Sequence, residues 1–509
     1  MAILETIYEN RWPLAAAAVV IYLARMLYTY YRLSQFKGPF AVGFSETPHS
    51  WQISKPDTHE WYRHVTETYG PIARIGPNTL ITSHPDVWMH VSSKSAYTKT
   101  EYYYQAMRLE HRRDNVFTMT NNAEHEKRRR AIGPAYSGRD IDNLEETIDL
   151  RVQDFINLIC GKYISTEQKI IPMDLPKKTQ FFTLDVVGTV GLGNPFGMLA
   201  ADADVDDLVK SGEDGMIGAN FFLAIGLSGL AQMPVIGKYI LPAPTDDKGM
   251  GRLVGISFHH ADQASKRRPG DDARSSMLAS WISHGVTGDA LRSEAAESVI
   301  AGSDTTAGAI RGIMLQLMTN PRVYVKLQKE IDKAVEKGIA PPAADGIISS
   351  AAARQLPYLQ AVIREGTRWW PSVTNFFPRD VPPEGDVAVV DGKEVFLPGG
   401  TEVGISVLGM LHRKATFGED AGCFRPERWT EAGPERYAEM QRVSDLLFGY
   451  GKWQCLGKPI AQHELNKAIF ELMRNFDWAL NKPTRPWEAI NTMGLFVIKD
   501  LWVQVTERK

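Results

Sequence analysis

The chain has 509 residues, 44% of them hydrophobic and 23% charged, which is typical of a folded globular protein and excludes disordered and collagen-like classes. The 57 lysines and arginines nearly balance the 60 aspartates and glutamates, and a net charge of -3 provides no basic field for a nucleic-acid partner. Three cysteines, Cys160, Cys423 and Cys455, are too few for a disulfide framework or a paired zinc site, which favours a reducing compartment.

The first element is an apolar segment, Trp12–Tyr31, which carries one charge, Arg25. A helix of that length would cross a hydrocarbon core about 30 Å thick. Its aromatic end is typical of a membrane interface and not of a signal-peptide cleavage site. We therefore expect a membrane anchor over residues 1–36, with a buried core helix as the alternative. Acidic residues precede the segment and basic residues follow it, which predicts a cytosolic body over residues 37–509.

The body combines one early sheet pattern with long helical patterns. Residues 69–87 alternate short β-branched runs with turns, which predicts a small antiparallel sheet, and strand signals return near 387–396 and 496–505. The apolar, glycine-broken stretch 215–241 predicts hydrophobic helices and loops that touch the membrane surface. Without a repeat or a dividing linker, the pattern indicates one large, mainly α domain with minor β structure. Helical periodicity covers residues 142–160, 293–318, 322–337, 356–370 and 459–476.

The strongest chemical signal is a glycine-rich loop that carries Cys455 directly before a predicted helix. The motif reads Phe448-x-x-Gly451-x-x-x-Cys455-x-Gly457. Amides at the helix start would stabilise a thiolate, and glycines let the backbone turn sharply beside a flat ligand. The motif therefore indicates a metal site with one cysteine ligand. A buried structural cysteine, the usual alternative, fits Cys160 and Cys423 better.

Three further motifs follow in a characteristic order. They are Ala301-Gly302-Ser303-Asp304-Thr305-Thr306, Glu365-Gly366-Thr367-Arg368 and Phe424-Arg425-Pro426-Glu427-Arg428-Trp429. Alone each is weak, since a Glu-x-x-Arg pair is ordinary on a helix. Together with the cysteine loop they span most of the chain, which thereby resembles the cytochrome P-450 superfamily of heme-thiolate monooxygenases. The sequence around Cys455 resembles most the corresponding sequence of microsomal fungal biosynthetic members of this family, including enzymes similar to pisatin demethylase.

The resemblance implies a site built around heme b, with Cys455 as the axial ligand of the iron. It implies that Asp304 and Thr305 deliver protons during oxygen activation. Ala301 begins a stripe of small residues on which the macrocycle would pack, although such stripes are also typical of helix-packing grooves. The stripe consists of Ala301, Thr305, Gly308 and Gly312. In the resembled family a buried ion cluster supports the cysteine loop, and its members here would be Glu365, Arg368 and Arg428.

The heme propionates need hydrogen-bond donors, and the resemblance assigns them to His125, Arg129 and Arg379. Phe448, Gly451 and Gly457 would approach the macrocycle from the cysteine loop. Most relatives carry a basic residue two positions before the cysteine, where this chain has Trp453. Either Lys452 or the Trp453 indole would replace it. The neighbouring basic residues are expected on a solvated helix face or against an acidic reductase: Lys127, Arg128 and Arg130.

The resemblance also implies partners and a location. Electrons would come from NADPH through the flavins of NADPH-cytochrome P-450 reductase, with cytochrome b5 as a further candidate donor. The enzyme would be a single-pass protein of the endoplasmic reticulum membrane that oxidises a hydrophobic small molecule of secondary metabolism. Aromatic residues in the expected substrate regions favour an apolar pocket, although each is individually more typical of a core: Tyr102, Tyr103, Phe117, Phe376, Phe377 and Phe496.

Two other functions remain open at this point. The protein could be an oxidase of the same fold that couples phenols or desaturates its substrate without inserting oxygen. It could also be a heme-binding sensor without turnover, although that function would leave Asp304 and Thr305 without a purpose.

Overall fold

The structure is a computed structural model and describes residues 10–111, 113–233, 235–266 and 275–508. Helices contain 58% of the residues and strands contain 10%, which confirms the prediction of a mainly α fold. The helices are α1 (Arg11–Arg32), α2 (Thr47–Ile53), α3 (Thr58–Tyr69), α4 (Pro85–Ser93), α5 (Glu101–Gln105), α6 (Asn122–Tyr136), α7 (Leu144–Lys162), α8 (Leu175–Val187), α9 (Met198–Ala201), α10 (Leu208–Ala224), α11 (Ser228–Ala231), α12 (Gly237–Ile240), α13 (Gly249–Ser265), α14 (Met277–Ser283), α15 (Gly288–Thr319), α16 (Pro321–Glu336), α17 (Ser350–Arg354), α18 (Pro357–Trp369), α19 (Val407–Leu411), α20 (Lys414–Phe417), α21 (Glu427–Thr430), α22 (Pro434–Asp445) and α23 (Lys458–Asn475).

The strands form four small sheets within the described residues. They are β1 (Ile72–Arg74), β2 (Thr79–Thr82), β3 (Thr98–Lys99), β4 (Met173–Asp174), β5 (Arg379–Asp380), β6 (Asp386–Val390), β7 (Lys393–Leu397), β8 (Glu402–Ile405), β9 (Phe476–Leu480), β10 (Glu488–Thr492), β11 (Leu495–Lys499) and β12 (Trp502–Glu507). The largest sheet has the order β1-β2-β8-β5-β3, and the others pair β6 with β7, β10 with β11, and β12 with both β4 and β9.

The predicted early hairpin is present as the antiparallel pair β1–β2, in which Ala73 faces Ile81. The sequence pattern did not reveal that β2 also pairs in parallel with β8, more than 300 residues later, with Leu80 opposite Val403. Parallel pairing needs a long crossover connection, and no local signal marks its partner. This sheet fixes β5, and with it Arg379, beside β3 and β8.

Helix α15 is the central element of the body. It packs against α8, α13, α18 and α23, and most of its second half is buried. It ends at Thr319 because Pro321 disfavours helical geometry in the residue before it, Asn320. A Cβ on Gly312 would lie 2.8 Å from the Trp370 ring, so close packing against the segment after α18 requires glycine there.

The predicted anchor corresponds to α1, which is long and apolar enough to span a membrane and has no buried residue. Buried packing begins just after α1, where Leu33 and Phe36 join the core. The acidic residues on which the orientation prediction partly depends, Glu5 and Glu9, lie outside the described residues.

The predicted long helices are confirmed as α7, α15, α16, α18 and α23. Residues 215–241 form hydrophobic helices and loops, as expected, within α10, α11 and α12. The interpretation of Cys160 and Cys423 as buried structural cysteines is wrong, because both are exposed. The residue type of one cysteine does not show whether its side chain faces the core or the solvent.

Candidate active site

A large cavity of about 620 Å³ lies between α15 and the cysteine loop. Its lining comes from α4, α6, α8, α10, α15 and α23 and is mostly apolar. Cavities with this size and character, and with a few convergent polar groups, are typical of cofactor and small-molecule sites.

Cys455 lies on the wall of this cavity, directly before α23. The backbone amides of Gly457 and Lys458, at the start of that helix, lie close enough to its sulfur to lower the pKa of the thiol. Its own amide donates to the Phe448 carbonyl oxygen at 2.7 Å, which closes the loop. Burial raises the pKa of the Cys455 thiol, whereas the two amides and the Arg129 charge lower it. Because the side chain is exposed to the cavity, the sulfur is accessible to a group bound there.

Backbone geometry explains one glycine of the motif. Gly451 has φ +62, and a Cβ on it would lie 2.9 Å from the Ser92 carbonyl oxygen. Gly451 therefore lets the loop pass close to the end of α4, and it is not among the residues that line the cavity. Phe448 and Gly457 do line it.

The α15 motif divides between two faces of the helix. Ala301 and Thr305 line the cavity, and Thr305 Oγ1 donates to the Ala301 carbonyl oxygen at 2.9 Å. Asp304 is turned toward α8, where Gln180 Nε2 donates to its carboxylate at 2.6 Å. Burial raises the pKa of Asp304, while Arg311 and Gln180 lower it.

The stripe of small residues divides as well. Gly308 lies against Ser372, Gly312 lies against Trp370, and neither is part of the cavity lining. The helix-packing alternative is therefore correct for the second half of the stripe. The first half, with Ala301 and Thr305, faces the cavity.

Around the cavity the structure contains the donors that a group with two carboxylates needs. His125 Nδ1, Arg379 Nε and Trp453 Nε1 are buried and have no hydrogen-bond partner in the described part of the chain. Buried polar atoms are almost always satisfied, so these three point to an anionic group beside them. Arg129 lines the same region, and Arg379 lies over the Trp453 ring with its guanidinium 4.2 Å from the ring centre. The residues present therefore fit heme propionates.

The electrostatics of this region lead to the same conclusion. Burial, together with the charges of Lys99, Arg129 and Arg379, lowers the pKa of His125 to about 3. A cluster of cations around a neutral imidazole leaves positive potential that an anion would neutralise. Lys452, one of the two candidates to replace the missing basic residue, instead donates to the Ser95 and Tyr97 carbonyl oxygens.

The basic residues beside Arg129 do not behave alike. Lys127 and Arg130 are exposed, as a solvated face requires. Arg128 departs from that expectation, because its Nη1 donates to the Glu294 carboxylate at 2.7 Å inside the protein. A buried carboxylate on α15, far away in sequence, determines the position of Arg128.

Glu365, Arg368 and Arg428 form a buried cluster, as predicted. Arg368 holds Glu365 through two hydrogen bonds of 2.7 and 2.9 Å, and Arg428 Nε donates to the same carboxylate at 2.9 Å. Burial alone would raise the pKa of Glu365, but the two arginines outweigh burial and hold it below its usual value. Arg368 also donates to the Ala421 carbonyl oxygen at 2.7 Å. The cluster therefore joins α18 to the segment that leads into α22 and the cysteine loop.

The predicted aromatic lining is only partly present. Phe117 and Phe377 line the main cavity. Tyr103 and Phe376 line a smaller neighbouring cavity, Tyr102 is 44% exposed, and Phe496 packs against Trp370. Regions inferred by resemblance do not specify which side of a loop faces inward.

The sequence analysis did not identify several ionisable residues that line the cavity, among them Lys99, Glu297 and Glu464. Lys99 Nζ donates to the Phe117 carbonyl oxygen at 2.6 Å, and burial lowers its pKa well below the usual value. Burial raises the pKa of Glu464 well above its usual value. Only Glu297 had a detectable signal, because it lies four residues before Ala301 and hence on the same face of a helix.

A mainly α fold around a cavity walled by a cysteine loop and a long central helix is the architecture of a heme-thiolate monooxygenase. Comparisons with known proteins agree: a model of the cytochrome P-450 family matches residues 256–506. The cytochrome P-450 monooxygenase ABA1 of Pyricularia oryzae is 36% identical over 97% of this chain and 96% of its own. The corresponding aba1 protein of Botryotinia fuckeliana is 35% identical over 87% and 86%, and pisatin demethylase of Fusarium vanettenii is 29% identical over 90% and 87%.

The chain belongs to the cytochrome P-450 family and is a cytochrome P-450 monooxygenase. Members of this family carry a heme iron and generally take electrons from a redox partner to act on a hydrophobic substrate.

Proposed function

We propose that this enzyme binds heme through Cys455 and inserts oxygen into a hydrophobic small molecule of fungal secondary metabolism. The observation that carries the proposal is Cys455, exposed to a cavity that also contains unpartnered buried donors at His125, Arg379 and Trp453. One group with a metal centre and two carboxylates would satisfy all of them. When bound, heme supplies the redox chemistry that activates dioxygen.

The chain's own residues divide the remaining work. Thr305 holds a hydroxyl at the cavity wall, and Asp304 lies behind it in a hydrogen-bonded network with Gln180 and Arg311, so the two residues would pass protons inward. Arg129 joins the propionate donors. The cluster of Glu365 with its two arginines supports the approach to the cysteine loop.

The proposal extends to location and electron supply. Helix α1 would anchor the protein in the endoplasmic reticulum membrane with the body, residues 37–509, in the cytosol, and exposed apolar residues of 215–241 would touch that surface. Electrons would come from NADPH through the flavins of NADPH-cytochrome P-450 reductase, with cytochrome b5 as an additional donor.

The ligand assignment is tested by the spectrum of the reduced carbon monoxide complex. Cys455→Ala should lose the red-shifted Soret band that marks a thiolate ligand. Cys160→Ala and Cys423→Ala are matched controls, because both cysteines are exposed away from the cavity and should leave the band intact. A band that survives in Cys455→Ala would reject the assignment.

Oxygen insertion is tested by comparing metabolites of the host with and without the gene. A precursor that lacks one oxygen relative to the missing product supports the proposal. A pair that differs by two hydrogens, or a dimeric product, would instead show an oxidase.

A further inference from the structure

Among the ionisable groups of the cavity that the chemistry described above does not use, Glu297 shares a helix with the proposed proton-delivery residues. Glu297 lies on α15, four residues before Ala301 and eight before Thr305, so the three side chains share one face of the helix. All three line the cavity. The rise of a helix puts Glu297 about 12 Å from Thr305 along the axis, at the opposite end of the lining from the proton-delivery residue.

The structure holds this carboxyl group in a defined orientation. Asn115 Nδ2 donates to Glu297 Oε2 at 2.9 Å. Asn115 is itself buried, and its Oδ1 accepts from the backbone amides of Phe117 and Thr118, each at 2.9 Å. Those two bonds decide which end of the Asn115 amide is the oxygen, so its NH2 group must face Glu297.

The other carboxyl oxygen of Glu297 has no hydrogen-bond partner among the described residues. In the neighbouring acid, Glu294, Arg128 and the Val116 amide hold Oε1 at 2.7 and 2.9 Å, and Oε2 also has no partner among the described residues, but Glu294 does not line the cavity. Lys99 is also near, but its ammonium donates to backbone carbonyl oxygens. A polar atom in a mostly apolar cavity is costly unless something bonds to it, which points to a ligand.

We propose that Glu297, positioned by Asn115, is the residue that recognises the polar end of the substrate, and that the substrate is an otherwise apolar molecule bearing a hydroxyl group. The proposal rests on the monooxygenase function proposed above and specifies its substrate class. The hydroxyl would bind Glu297 while the position to be oxidised lies near Thr305.

The surrounding charges favour a hydroxyl over a carboxylate or a carbonyl. A carboxylate would meet two acids, Glu294 and Glu297, whereas Arg128 is already paired with Glu294 and Arg108 with Asp114 at 2.7 Å, and Lys99 donates to backbone carbonyl oxygens. Burial and the nearby Glu294 raise the pKa of Glu297 to about 8, so the group is largely protonated at neutral pH. A hydroxyl can donate to Glu297 in either protonation state, whereas a carbonyl or an ether can only accept from the acid form, so the alcohol is distinguished most clearly above the pKa of Glu297.

The test is a set of ligand titrations followed by the Soret shift of the full-length holoenzyme, which needs no turnover, at about one pH unit above the Glu297 pKa of about 8, where the carboxylate can only accept. The probes are farnesol, farnesal and farnesyl methyl ether, which differ only in the polar end. We expect farnesol to bind about tenfold more tightly than the ether, the ratio that one buried hydrogen bond supplies, and more tightly than the aldehyde. Equal binding of alcohol and ether, or no shift with farnesol, would overturn the proposal.

Substitutions in the cavity test whether Glu297 causes the preference for farnesol over the ether. Glu297→Leu should remove the preference for farnesol over the ether, and Glu297→Gln should also lose most of it, because Asn115 holds the amide oxygen and leaves the NH2 group, which donates to alcohol and ether alike, facing the ligand. Asp214→Leu is the matched control, since Asp214 also lines the cavity but is exposed on α10. A preference that persists in Glu297→Leu would reject the assignment.

The carbon monoxide spectrum separates this inference from the proposed function. If the wild-type protein lacks the red-shifted band, the heme-thiolate proposal fails. If the band is present and the ligands do not discriminate, only the role of Glu297 fails.

Discussion

Adjacent residues on α15 face different surroundings because successive side chains on a helix point about 100° apart. Thr305 faces the cavity, whereas Asp304 faces α8 and bonds Gln180. In the proposed mechanism only Thr305 can present a hydroxyl directly at the reacting centre. Asp304 would act through it and through water, as a positioning residue.

The first prediction concerns Thr305→Ala. Without the hydroxyl, proton delivery should fail, and hydrogen peroxide formed per NADPH should rise several-fold in the presence of a ligand that shifts the Soret band. Thr305→Ser restores the hydroxyl and should restore coupling. Peroxide and NADPH assays on the reconstituted enzyme measure both, and unchanged coupling in Thr305→Ala would remove this residue from the proton path.

The second prediction concerns the donor that replaces the missing basic residue. Lys452 is committed to backbone carbonyl oxygens, which leaves the Trp453 indole N–H. Trp453→Phe keeps a ring beneath Arg379 but removes the N–H, so heme should dissociate about 3–10-fold faster into a scavenging apoprotein, the effect of one hydrogen bond to a charged group. Trp502→Phe is the control, because that indole bonds Asp500 at the surface. Equal release rates would assign the propionate elsewhere.

At the scale of elements, buried carboxylates join helices that are distant in sequence. Glu365 joins α18 to the segment around Arg428, and Glu427 of α21 joins Arg322 of α16 to Tyr358 of α18. These contacts surround the approach to the cysteine loop. Losing one partner of such a cluster leaves an uncompensated buried charge, which is strongly destabilising.

The third prediction uses the pH dependence of Glu427. Burial opposes ionisation, but Arg322, Tyr358 and Lys326 outweigh burial and lower the pKa of Glu427 to about 2. A lowered pKa contributes stability that is complete above about pH 4.5 and is lost as pH falls toward about 2. Glu427→Gln should therefore lower the free energy of unfolding by about 2 kcal/mol at neutral pH and by much less near pH 2.

Denaturant midpoints across that pH range measure the effect. Glu431→Gln serves as the control, because Glu431 is exposed on the same segment and pairs only with Arg425 at the surface. A constant difference between wild type and Glu427→Gln at all pH values would contradict the linkage.

At the scale of the whole molecule, the junction between α1 and the body is part of the fold. Leu33 and Phe36 are 0% and 7% exposed, and Arg32 Nη1 donates to the Gly399 carbonyl oxygen at 2.6 Å. No residue of the apolar helix before them is buried, but its last turn contacts the body, where Arg74 donates to the Thr29 and Tyr30 carbonyl oxygens. The exposed helix and the folded part therefore meet at residues 29–32.

The fourth prediction is a pair of truncations. A chain that begins at Thr29, which keeps the carbonyl oxygens bound by Arg74, should fold with the carbon monoxide band intact and be released from membranes more readily, although the exposed apolar residues of 215–241 would retain part of it. A chain that begins at Lys37 also loses Leu33 and Phe36, and should be less stable by about 3–5 kcal/mol. Thermal melts and membrane fractionation compare the two, and equal stability would contradict the assignment of Leu33 and Phe36 to the core.

Local patterns were sufficient to predict the long helices, the first hairpin, the apolar N-terminal helix and the cysteine loop. Each of these depends on periodicity or on residues a few positions apart, such as the glycines around Cys455. The cluster of Glu365, Arg368 and Arg428 became predictable only through a family resemblance, because the two arginines lie 60 residues apart.

Contacts between distant segments depend on how the elements pack, which no single segment encodes. Packing decided that Asp304 faces α8, that Gly308 and Gly312 serve helix contacts, and that Arg128 is buried against Glu294. It also placed Glu297 and Asn115 together, 182 positions apart, on one wall of the cavity. The periodicity of a sequence predicts which side chains share one face of a helix. The chemistry of that face depends on the element that packs against it.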